Sequence, residues 1–194
     1  MGREVRGLLL CGGHATRFGG EKLLAGEGPI VAEAARHLLE GVGNALAVIP
    51  LGKERLRAVL EGVGCEVLES DRTALGMSGS LVAGVQATAS AGGWIVALGD
   101  MPRVRVATIR AVVTALQDGA PVALPVDASG RRGHPVGFAA SLREELLALT
   151  GDVGARSLLA RHAQAVRALA TDDAGIFVDI DTPEDLERLQ GRTT

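Results

Sequence analysis

Two kinds of hydrophobic run alternate along this chain. Short stretches such as Leu8-Leu9-Leu10-Cys11 and Trp94-Ile95-Val96-Ala97-Leu98 are apolar at every position. Strands of that kind are covered on both faces, which is the habit of parallel sheets. Runs of this kind predict strands over 7–11, 45–49, 65–68, 94–98, 122–125, 136–139 and 175–180. Between them lie longer segments with helical spacing of apolar residues, over 30–40, 54–62, 80–90, 105–118, 141–149, 155–162 and 184–189. Pro29 and Pro183 stand where a first helical turn begins, and Pro183 follows a good N-cap residue, Thr182. Regular strand–helix alternation predicts an α/β fold with a mainly parallel sheet.

Composition narrows the picture without supplying chemistry. A chain of 194 residues suits one domain spanning 1–194, with a substantial core. A net charge of -3 and the absence of Tyr argue against a nucleic-acid partner. Cys11 and Cys65 sit in apolar runs and read as buried hydrophobes rather than a disulfide or metal pair. No apolar stretch is long enough for a membrane span, and the first is too short for a signal peptide, so a cytoplasmic enzyme is expected.

The densest chemistry follows the first strand, in Leu10-Cys11-Gly12-Gly13-His14-Ala15-Thr16-Arg17-Phe18-Gly19-Gly20-Glu21-Lys22. Glycines let backbone approach a ligand closely, so that N–H groups can converge on an anion. Arg17 and Lys22 add full charges, which suits a polyphosphate. Only Lys22 and Lys53 are lysines in a chain that otherwise uses Arg, so a compact point charge is wanted in this loop. The loop lacks the G-x-x-x-x-G-K-[ST] of a P-loop and the G-x-G-x-x-G of a dinucleotide fold.

Ligands of open α/β sheets bind beyond the carboxyl ends of the strands. Asp100 follows such a strand and suits a hard divalent cation such as Mg2+, or else a turn before Pro102. Asp179 and Asp181 lie two apart on a segment read as extended, so either could be a second metal ligand, with helix capping as the other role for Asp181. Gly76-Met77-Ser78-Gly79-Ser80 opens a helix whose free N–H groups could meet an anion or a base edge. His134, between Gly133 and Pro135, reads equally as a substrate contact or a locally satisfied loop residue. Arg156, at a helix start, reads as an anion contact or a solvated arginine.

Taken in order, these motifs resemble the molybdenum-cofactor nucleotidyltransferases of the MobA-like NTP transferase family. The first loop is similar to L-A-[AG]-G-x-[SA]-x-R-[MF]-G-x-x-K. Gly76-Met77-Ser78-Gly79-Ser80-Leu81, Leu98-Gly99-Asp100-Met101-Pro102, Arg132-Gly133-His134-Pro135-Val136, Gly151-Asp152-Val153-Gly154-Ala155-Arg156 and Asp179-Ile180-Asp181-Thr182-Pro183 follow in the family's order. The second and last motifs resemble the cytidylyltransferase (MocA-like) branch rather than the guanylyltransferase branch. Departures are Cys11, where Ala is usual, and Gly79, where Ser is frequent. Proteins sharing these motifs are also tied to purine catabolism and to a nicotine-pigment oxidoreductase.

The resemblance implies a Rossmann-like three-layer sandwich of the nucleotide-diphospho-sugar transferase type. It implies a Mg2+-dependent transfer of CMP from CTP to the terminal phosphate of molybdenum-bound molybdopterin, with pyrophosphate released. Gly12, Gly13, Arg17 and Lys22 would hold the triphosphate, with Leu10, Cys11 and Asp100 also among the nucleotide-binding residues. Lys22, Arg17 and Asp100 would act in catalysis, and Asp100 with Asp181 or Asp179 would bind metal. Ser78 and Ser80 would contact the nucleotide, and His134 and Arg156 the pterin substrate. A molybdoenzyme or its chaperone would be the partner, with no membrane involved. The alternatives are GTP as donor, an NAD(P)-dependent oxidoreductase on a Rossmann-like sheet, and a non-catalytic cofactor-delivery domain.

Overall fold

A computed structural model describes residues 4–12, 21–26, 28–151 and 154–191 of the chain. Strands are β1 (Val5–Leu10), β2 (Ala45–Ile49), β3 (Glu66–Glu69), β4 (Gly93–Leu98), β5 (Val122–Val126), β6 (Val136–Ala139) and β7 (Val166–Ala170). They form one sheet in the order β3-β2-β1-β4-β6-β5-β7. All neighbours are parallel except β6, which runs antiparallel to both β4 and β5. The α/β, mainly parallel architecture is therefore as the hydrophobic pattern predicts.

The central strands are apolar throughout because each face has its own helices. Helices are α1 (Ile30–Val42), α2 (Glu54–Val63), α3 (Met77–Ala87), α4 (Val106–Gln117), α5 (Arg143–Leu147), α6 (Arg156–Arg161) and α7 (Pro183–Gln190). On one face Leu9, Ala47 and Ile95 pack with Leu38 of α1, Leu60 of α2 and Val112 of α4. On the other, Leu8, Leu10 and Val96 pack with Leu81 of α3, Leu146 of α5 and Leu158 of α6. Alternate residues of one strand thus enter opposite cores, as the period of two requires. The result is a three-layer sandwich with β3 and β7 at its edges. The single tryptophan, Trp94, is fully buried in the second core and donates its indole N–H to Thr88 Oγ1 at 2.9 Å.

Two expectations change at the C-terminal end. The apolar stretch 175–180 is no strand. It holds a 3-10 turn, Ala174–Phe177, and its buried Ile176 and Ile180 pack without joining a ladder. Asp173 caps that turn by accepting from the Gly175 N–H, which favours turn over strand. The seventh strand is instead Val166–Ala170, paired in parallel with β5. Arg167 and two alanines give that strand little β signal, because only an exposed sheet edge is being filled.

Candidate active site

A cleft of about 640 Å³ opens beyond the carboxyl ends of β1, β2 and β4. Leu10, Cys11 and Gly12 reach it directly from β1, and Asp100 from the turn after β4. Lys22 enters on a short 3-10 turn, Lys22–Leu24, and Asp181 on the segment that leads into α7. Gly13 and Arg17 lie outside the described residues, so the remainder of the glycine-rich loop adds nothing to the geometry below.

Charge converges at one point of this cleft. Lys22 Nζ donates to Asp100 Oδ2 and to Asp181 Oδ1, each at 2.8 Å. The lysine side chain is only 12% exposed. Burial alone would lower its pKa, but the hydrogen bonds it donates to Asp100 and Asp181 outweigh that and raise it, so the ammonium stays charged. Two carboxylates held against one cation leave their oxygens close together. Such a pair suits a hard divalent cation, which takes one or two protein carboxylates and completes its shell with water and phosphate oxygens. Among the described residues no cluster of three or more His, Cys, Asp or Glu side chains forms a self-sufficient metal cage.

Local structure explains why Asp181 reaches this point. Thr182 caps α7 by accepting from the Asp185 N–H, and Asp185 Oδ2 accepts in return from the N–H groups of Thr182 and Asp181. The Thr182 hydroxyl, which also donates to Asp185 Oδ2, is foremost in holding the Asp185 carboxyl below the usual carboxylate range, and the two backbone bonds add to it. Asp181 is thereby fixed at the mouth of the cap, while Ile180 N donates to Asp100 O at 3.0 Å. Asp179 behaves differently from the expectation. It is exposed and absent from the cleft lining, whereas Asp181 lines it.

The motif that opens α3 is also placed differently. Ser78 is buried and its Oγ faces the carbonyls of Thr150 and Gly154, both at 3.4 Å, so it ties α3 to the segment between α5 and α6 rather than lining the cleft. Ser80 is fully buried beneath Gly12, with Oγ 3.5 Å from Gly76 O. A Cβ on Gly12 would strike Ser80 Oγ and lie 2.9 Å from Thr73 Cβ, so this glycine is needed for close approach. Gly79 has a similar reason: its Cβ would collide with the Arg72 carbonyl, which leaves no room there for serine. The side chains that do line the cleft near α3 are Thr73, Ala74 and Met77, facing Pro50, Lys53 and Leu56. All six lie at or just beyond the loops that follow β2 and β3. The strand-end rule points to those loops, but no charged motif singles them out.

Cys11 also lines the cleft; burial, foremost, drives its thiol pKa far up, so it stays a neutral thiol. His134 is half-buried beside the turn after β4, with its peptide bond to Pro135 cis. Burial pushes its pKa down, which Asp100 and the Val96 carbonyl only partly oppose, so it is neutral near pH 7. Arg156 is exposed at the start of α6, close enough to His134 to lower its pKa further. Neither His134 nor Arg156 is a lining residue of the main cleft.

A mainly parallel sheet of this order carries, beyond its carboxyl ends, one largely buried lysine held between the carboxylates of Asp100 and Asp181, an arrangement for binding an anionic ligand in an α/β protein. Residues 7–166 match the model of the MobA-like NTP transferase domain, and the chain belongs to that family. It is 32% identical to the nicotine blue oxidoreductase of Paenarthrobacter nicotinovorans over 197 residues, covering 95% of this chain and 96% of that protein. The crystal structure of Rv0371c from Mycobacterium tuberculosis superposes with a TM-score of 0.84 at 25% identity, covering 97% of this chain and 98% of that one. A manganese complex of Rv0371c superposes with a TM-score of 0.78 at 25% identity, covering 96% and 97%. Among the described residues, no helix is long and apolar enough to cross a membrane.

Proposed function

We propose that this chain transfers CMP from CTP to the terminal phosphate of molybdenum-bound molybdopterin, releasing pyrophosphate. The observation that carries the reading is the junction of Lys22, Asp100 and Asp181, three groups far apart in sequence that meet in the cleft beside the Gly12 backbone. Membership of an NTP transferase family supports group transfer. The manganese held by a relative supports a divalent cation, here Mg2+, bound by Asp100 and Asp181.

In the reaction an acceptor phosphate oxygen bonds to the α-phosphorus as the bond to the pyrophosphate oxygen breaks. A bound Mg2+ supplies Lewis-acid neutralisation of the phosphate oxygens. Lys22 adds a preorganised positive charge that opposes the developing negative charge, in a partly water-excluded setting where such charge counts most. Gly12 lets the backbone approach the triphosphate, with Gly13 and Arg17 completing the grip. Thr73, Ala74 and Met77 wall the cleft for the nucleoside. Neutral His134 offers a hydrogen bond, and Arg156 a charge, to the anionic acceptor. No protein nucleophile is needed, since orientation of two anionic reactants does much of the work.

The test is pyrophosphate release with each of the four NTPs, with and without molybdenum-loaded molybdopterin. Release with CTP only when acceptor is present is the expected result; no release with any NTP removes the proposal. The name of the Paenarthrobacter relative favours a second reading, an oxidoreductase. Metal-independent stabilisation by NAD(P)H, in place of Mg2+-dependent stabilisation by NTP, would select it.

A further inference from the structure

Asp173 is almost fully buried, at 3% exposure, and takes no part in the chemistry proposed above. Its carboxylate is densely satisfied. Oδ2 accepts from Arg105 N at 2.8 Å and from Thr108 Oγ1 at 2.6 Å, while Oδ1 accepts from Gly175 N at 2.9 Å. Two of those donors belong to the first turn of α4 and its cap. The third belongs to the strap that runs from Asp173 to Asp181. The carboxylate therefore locks the beginning of that strap onto the N-terminus of α4, where negative charge is favoured.

From this lock the strap is pinned onward to the site. His134 N donates to Ile176 O at 3.1 Å, and Ile180 N donates to Asp100 O at 3.0 Å. Gly175 passes so close to Arg103 that a Cβ would collide with the Arg103 carbonyl. The strap belongs to no strand, so these pins replace the ladder that fixes other residues of the fold. We infer that Asp173 is a positioning residue for Asp181: together with Thr108 it sets the path of the strap and hence the separation of the Asp181 and Asp100 carboxylates. This rests on the reading of Asp100 and Asp181 as the metal pair.

The experiment is Mn2+ titration of the full chain, followed by electron paramagnetic resonance in the presence of CTP. CTP affinity without metal is measured alongside in EDTA. Asp173→Asn removes the charge and one acceptor, and it weakens Mn2+ binding by about tenfold, as loss of a group orienting a metal ligand does. Its metal-free CTP affinity stays within about twofold, since the Gly12 side of the cleft is untouched. Thr108→Val weakens Mn2+ binding less, Thr108→Ser restores it, and Gly175→Ala weakens it through the Arg103 clash. These three carry the test if Asp173→Asn does not fold. Wild-type Mn2+ affinity in Thr108→Val and Gly175→Ala overturns the inference alone. Failure of the wild-type chain itself to bind Mn2+ with CTP overturns the metal-pair reading and this inference with it.

Discussion

From β3 across to β4 every strand is parallel, and the loops leaving their carboxyl ends open into the cleft. Beyond β4 the order β6-β5-β7 mixes directions, and no strand end of that half lines the cleft. Among the described residues its one contribution to the lining, Asp181, arrives on a strap held by side-chain and isolated backbone bonds. In the first half, sheet topology aims the functional groups, and a loop can vary without losing its aim. In the second half aim depends on particular hydrogen bonds, so single substitutions far from the cleft reach the site. Lys22 joins the two arrangements, since it bonds one carboxylate from each.

The largest effect should come from breaking that joint. Lys22→Ala is expected to lower kcat by about 10²–10³, the cost of one preorganised charged donor. Near-normal turnover in a pyrophosphate-release assay would sink the role given to the lysine. Asp100→Ala and Asp181→Ala should lose activity to a similar degree. If only Asp100→Ala does, the second half contributes scaffold rather than chemistry.

A change within the topologically aimed half should be smaller. Gly12→Ala places a Cβ against Ser80 and Thr73, an overpacking that costs about 1–3 kcal/mol. Urea unfolding checks the loss, and adding Ser80→Ala should recover part of it. Wild-type stability in Gly12→Ala would show that Ser80 does not set the floor of the loop. Thr182→Ala, at the cap behind Asp181, should cost about 1 kcal/mol in the same assay. It should also weaken Mn2+ binding, whereas a substitution that merely frays α7 beyond its first turn should not.

The smallest effect is on pH dependence. Burial keeps the His134 pKa below its ordinary value, so as pH falls through about 6.5 the unfolded chain takes up a proton before the folded one does. Stability should therefore decline below about pH 6.5 and level off once the folded histidine also protonates. His134→Asn should flatten that segment of the profile. An unchanged slope between pH 7 and 5 would place the histidine in a more solvated setting.

The same division explains what was legible in the sequence. Continuous apolar runs identified β1, β2 and β4 because burial on both faces leaves no room for polar residues. Lys22 and Asp100 stood out because charge at the end of such a run is conspicuous. Residues 175–180 carry a strand-like pattern because Ile176 and Ile180 are as buried as strand residues would be, while their backbone bonds go singly to His134 and Asp100. Apolar periodicity reports burial, not ladder formation. β7 went unread for the converse reason: it has the ladder but little burial. The resemblance assigns Ser78 and Ser80 to the nucleotide, whereas in the fold their hydroxyls face the backbone carbonyls of Thr150, Gly154 and Gly76, a packing detail that no sequence motif carries.

The bond from Lys22 to Asp181 spans 159 positions of chain. Every strand among the described residues is complete by Ala170, before that aspartate is reached. During synthesis, then, these strands can be finished before the second partner of Lys22 exists. A chain cut after β7 would keep every described strand and lose the second carboxylate that Lys22 bonds.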